Sequence, residues 1–75
     1  MKVFYDNNVD ALYLELGDAP PDGVIEIAEG VNLDTTVENK IVGIEILNAS
    51  KKLDLAAMLS CTVEFDANMI ARRAG

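Results

Sequence analysis

Thirteen Asp and Glu side chains, one Cys and no His set the chemistry open to this 75-residue chain. Carboxylates have three common uses: groups of them bind hard divalent cations, pairs exchange protons, and arrays attract cationic partners. The absence of His removes the usual general base near neutral pH and the commonest metal ligand. One thiol, Cys61, cannot form an internal disulfide or build a thiolate zinc site alone. Only Lys51 or Lys52 offers to activate it, so it reads first as a small core residue beside Leu59 and second as a nucleophile.

Asp6-Asn7-Asn8-Val9-Asp10 resembles the opening of a calcium loop, with oxygen ligands at its first, third and fifth positions. The match then fails: Ala11 stands where the sharp turn needs Gly, and Gly17 where a bidentate Glu is needed. Asp6 and Asp10 are better explained as turn residues whose carboxylates accept from nearby backbone N–H groups. Gly30 and Gly43 do not form a phosphate loop, and Arg72-Arg73 is too small a basic patch for nucleic acid. No catalytic, cofactor or metal residue is assigned from these motifs, and catalysis is the less favoured reading.

A net charge of −7 with a pI near 4.2 repels phosphate backbones and anionic lipid, which argues against direct nucleic-acid or membrane-surface binding. No apolar run approaches the roughly 18–20 residues that span a bilayer. Met1 to Asp6 reaches an acid without an apolar signal core, and with the lone thiol this leads us to expect a cytoplasmic protein. At this length one small domain is expected, with few apolar side chains to fill it.

Positioning falls to strands. Alternation marks strands over about 2–5, 11–16, 24–28, 31–36 and 41–47, separated by turns at Asp6-Asn7-Asn8, Glu29-Gly30 and Val37 to Lys40, and by the Pro20-Pro21 loop. The last of these strands is apolar on both faces, as central strands are, and Gly43 within it suggests a bulge or a close backbone approach. After Leu47 the period changes: Leu55, Met58 and Leu59 predict a helix over about 50–60, capped by Asn48 or Ser50 or starting nearer Asp54. Residues 61–75 form a tail that reads as a short strand or a second helix. The predicted class is α+β: an antiparallel meander of four to five strands with a short C-terminal helix packed on it.

The charge is concentrated in the strands. Residues 1–50 carry ten acids and two lysines, net −8, against +1 for residues 51–75. If Leu12, Leu14, Ile25, Ile27, Leu33, Ile44 and Ile46 share one dry layer, then Glu15, Glu26, Asp34 and Glu45 project from the opposite face together with Tyr13. That face is either the wet side of a one-sided sheet or a docking surface for a basic partner. A third use, divalent-metal binding or carboxylate-based catalysis, requires a strand order that gathers the acids.

Three stretches carry a resemblance: Tyr5-Asp6 leading to Asp10-Ala11-Leu12-Tyr13-Leu14, then Glu29-Gly30-Val31-Asn32-Leu33-Asp34, then Val42 through Ser50. Together they resemble the short bacterial proteins designated domain of unknown function 2283. The resemblance covers about residues 3–53 and implies antiparallel strands ending in a short helix, with no assigned activity and no catalytic residues to carry over. It also touches small antitoxin-like partners found in some gene pairings. From the residues themselves, the acidic face leads us to expect a non-catalytic protein–protein interaction module, and the doubly apolar last strand with the open edges of a small sheet a homodimer. Tyr13, Glu15, Glu26, Asp34 and Glu45 are its candidate contact residues.

Overall fold

The computed structural model describes residues 1–59. Five strands, β1 (Lys2–Asp6), β2 (Ala11–Glu15), β3 (Gly23–Ala28), β4 (Val31–Thr35) and β5 (Ile41–Leu47), form one antiparallel sheet followed by two short helices, α1 (Ala49–Lys52) and α2 (Leu55–Leu59). The expected antiparallel α+β architecture is the one observed. The expectations for Cys61 and for the 61–75 tail lie outside the described residues.

Strand order is β1-β2-β5-β4-β3. A hairpin, β1–β2, lies beside a three-stranded meander, β3–β4–β5, and the two join where β2 pairs with β5. The connection from β2 to β3 must pass two strands, roughly 14 Å of sheet at the usual strand spacing. It does so over the ends of β5 and β4 and bonds to each: Leu16 N and Gly17 N donate to Val42 O (2.9 and 3.2 Å), and Asp22 N donates to Thr35 O (2.7 Å). Pro20 and Pro21 suit such a strap, because they bring no N–H that needs a ladder partner.

Register places apolar residues in two rows across one face: Tyr5, Leu12, Ile46, Val31 and Ala28, then Val3, Leu14, Ile44, Leu33 and Ile25. Six of the seven expected core residues therefore share a face. Ile27 does not join the rows, because it falls at the register shift between Glu26 and Ala28. Nor is the layer dry. Leu12 is 2% exposed, whereas Ile25 and Ile27 are 51% and 58% exposed. The reason is coverage: α2 brings Leu55 and Met58 over Val3, Tyr5 and Leu12 at the hairpin side, and they enclose a recess of about 80 Å³.

The single helix expected over 50–60 is broken. Leu53 is extended (φ −133°, ψ 153°), and α2 restarts behind Asp54, whose Oδ1 accepts from Ala57 N (3.3 Å). Asn48 occupies the start of α1 in a left-handed conformation but makes no side-chain cap. The capping acceptor comes from the β1–β2 turn instead. Asp10 accepts from Ser50 N (3.0 Å) and Ser50 Oγ (2.7 Å) through its carboxylate, and from Ala49 N (2.9 Å) through its carbonyl.

Candidate functional site

The opposite face of the sheet carries the polar rows. One runs Phe4, Tyr13, Glu45, Asn32, Glu26, and the next Lys2, Glu15, Gly43, Asp34, Val24. All five candidate contact residues lie here, as the alternation predicts. The four acids occupy alternate strands within each row, so no acid stands directly across from another. Like charges placed opposite destabilise a strand pair, and this staggering avoids that cost.

Staggering also disperses the site. Glu45 and Glu26 are separated by Asn32, and Glu15 and Asp34 by Gly43, so the acids of a row stand roughly 10 Å apart at two strand spacings. Among the described residues no group of three or more Asp, Glu or Cys side chains is placed to hold a metal ion. Among the described residues this strand order does not gather the acids as a metal centre requires.

Tyr13 organises the centre. Its hydroxyl donates to Asp34 Oδ2 at 2.7 Å, reaching from β2 to β4 across β5. The ring can lie there because residue 43 is Gly: a Cβ at that position would overlap the Tyr13 hydroxyl and ring. The close approach expected at Gly43 is thus made by a side chain, with a register shift in the β4–β5 pairing beside it. The bond to Asp34, followed by desolvation and the nearby Asp34, Glu15 and Glu45 charges, pushes the Tyr13 phenol up to about 12. Asn32 Nδ2 donates to Glu45 Oε1 at 3.1 Å.

The five residues therefore divide. Tyr13, Asp34 and Glu45, half-buried like Glu15, are committed to bonds within the face. Glu15 and Glu26 have no hydrogen-bond or ion-pair partner among the described residues, where Lys40–Glu38 (3.6 Å) is the ion pair formed. The crossing strap adds a wall beside Glu15. Ala19, Pro20, Pro21, Tyr13, Glu15 and Val42 are among the residues lining a cleft of about 260 Å³. Sequence reasoning placed Val24 on this face without naming it a contact residue and missed Phe4; these two residues end rows at opposite edges and are 66% and 52% exposed. Alternation gave the signal for both, since each has the parity of an acid on its own strand or the next.

A second network closes the other end of the sheet. Asp10, at φ 54°, also accepts from Tyr5 Oη (2.8 Å). Hydrogen bonds from Ser50 and Tyr5 hold its carboxyl below the usual Asp range, and the same contact raises the Tyr5 phenol. Tyr5 and Asp10, from the β1–β2 hairpin, meet Ser50 here, 40 residues further along the chain than Asp10. The family described as "Protein of unknown function (DUF2283)" matches residues 2–50, a span that covers all five strands and ends at the Ser50 clasp. The chain belongs to the DUF2283 family. No curated protein and no solved structure matches it. The matched region holds both networks, so the family pattern in this chain coincides with the residues that build the sheet and tie α1 to it.

Proposed function

We propose that this DUF2283 protein is a non-catalytic interaction module whose acidic sheet face receives a basic protein. The observation that carries the reading is the division within the face. Tyr13, Asp34 and Glu45 form a braced centre, while Glu26 and Glu15, the latter across from Lys2 but not ion-paired with it, flank it with no hydrogen-bond or ion-pair partner among the described residues. Acids placed this way speed encounter with a cationic surface, and Phe4 and Val24 supply apolar contact at the margins. An antitoxin-like role, in which the partner is a basic protein produced alongside this one, fits the same chemistry.

The test uses a capped peptide alternating lysine and valine as probe, with a glutamate–valine peptide as control. The lysine peptide binds, the glutamate peptide does not, and affinity falls as salt rises. Replacing Glu15 and Glu26 together by Gln weakens binding roughly tenfold or more and flattens the salt dependence. Stability stays within about 0.5 kcal/mol, as expected for surface substitutions. Equal affinity of the double variant would remove the proposal.

The other face supports self-association as part of the same proposal. Its two rows carry no charged residue, and Ile25 remains half exposed. A second copy stacked on that face would leave both acidic faces outward, where two −7 chains repel each other least.

A further inference from the structure

We infer that the outer edge of β3 is the docking strand, at which the basic partner adds as a sixth, extended strand with cationic and apolar side chains in alternation. This rests on the reading above and names where the partner sits and what backbone form it takes. The two edges of the sheet differ in the way that decides between them. At the β1 edge Lys2 stands directly across from Glu15, so the row closes on an opposite charge. A lysine on an edge also deters strand addition, and α2 crowds the same side through Leu55 and Met58.

Among the described residues the β3 edge has neither a lysine of its own nor α2 against it, and Lys51 and Lys52 of α1 share a cleft with Glu26 and Glu29 without pairing to Glu26. Among the described residues Gly23–Ala28 pairs with β4 alone, and an edge strand directs alternate N–H and C=O groups outward. It contains no Lys, Arg or Pro, and Val24, Ile25 and Ile27 are 66%, 51% and 58% exposed. Its one charge, Glu26, ends a row of the acidic face with no base bound to it among the described residues. A Lys or Arg directly across from Glu26 makes the favourable cross-strand pair. Apolar neighbours of that cation meet Ile25 and prolong the apolar layer on the reverse face. The register shift between Glu26 and Ala28 confines the regular template to Gly23–Glu26, so the added strand is short. A second copy of β3 is the poorer occupant, because it contains no base to set against Glu26 and would join two chains of −7.

The experiment compares the lysine–valine peptide with two isomers N-methylated along one edge or the other. Methylation removes ladder donors while keeping every charge. One isomer should bind as the parent does and the other at least roughly tenfold more weakly. The parent peptide should also slow amide exchange within Gly23–Ala28 and not within Lys2–Asp6. If both isomers match the parent while the Glu15→Gln, Glu26→Gln variant weakens all three, the acidic-face reading stands and strand addition is overturned. If no peptide binds, both fall. Protection appearing in β1, or protection of β3 that grows with protein concentration alone, also overturns the assignment, the latter by seating a second copy there.

Discussion

The Tyr13 hydroxyl reaches across Gly43 to donate to Asp34 at 2.7 Å, joining two strands that are not neighbours. Three residue types are needed at three positions for this contact. A long ring supplies reach, a carboxylate accepts, and the residue between has no side chain to obstruct the ring.

Gly43→Ala should therefore destabilise the protein by about 1–3 kcal/mol, the usual cost of forcing side chains apart in a packed region. The strain lies between the new methyl and the Tyr13 ring, so the substitution should cost clearly less in a Tyr13→Ala background. Denaturant unfolding of the four proteins of this cycle measures it. Equal costs in both backgrounds would show that the ring is not what makes Gly43 necessary.

Alkaline titration checks the hydrogen bond itself. Tyr13 should ionise near pH 12, well above a free phenol. A folded-state value above the unfolded one means the bond stabilises the fold fully below about pH 10, and that this contribution fades as pH rises through about 12. Asp34→Asn should bring the phenolate absorbance transition of Tyr13 down toward the ordinary range.

Asp10 carries the opposite sign. Its carboxyl is held low by Ser50 and Tyr5, so its contribution is present above the ordinary Asp range and is lost as pH falls through its depressed value. Asp10→Ala should lower the melting temperature at neutral pH more than Ser50→Ala does, because it removes the acceptor for three donors. The difference from wild type should shrink in acid. A constant difference at all pH values would mean that the carboxylate charge is irrelevant to the clasp.

Self-association through the apolar face predicts a dimeric mass by light scattering at micromolar concentration. Ile25→Lys should shift that mass toward the monomer with little change in melting, since Ile25 is already 51% exposed. A wild-type monomer at every concentration would contradict the dimer.

The sharing of faces was legible because strand side chains alternate. Leu12 and Leu14 have the same parity whatever their neighbours are, and so do Glu15 and Tyr13. What lies across from Tyr13 depends on strand order, and no local pattern tells β2 that β5 separates it from β4. The same blindness hid Asp10 as the partner of Ser50. Periodicity marked Leu55, Met58 and Leu59 as helical but said nothing about the extended Leu53 before them. Burial was misjudged at Ile25 for a related reason: an apolar side chain announces which face it prefers, not whether anything reaches that face.

The strand order has a consequence for how the chain comes together. As residues emerge in sequence, β1–β2 and β3–β4 can each form only a two-stranded ribbon, and such ribbons are marginal in water. The keystone arrives last: β5 slots between them and contributes both the glycine under Tyr13 and the turn that delivers Ser50 to Asp10. A chain cut short of Ile41 thus forfeits the whole architecture, not merely its final strand, and neither ribbon serves as a smaller working unit.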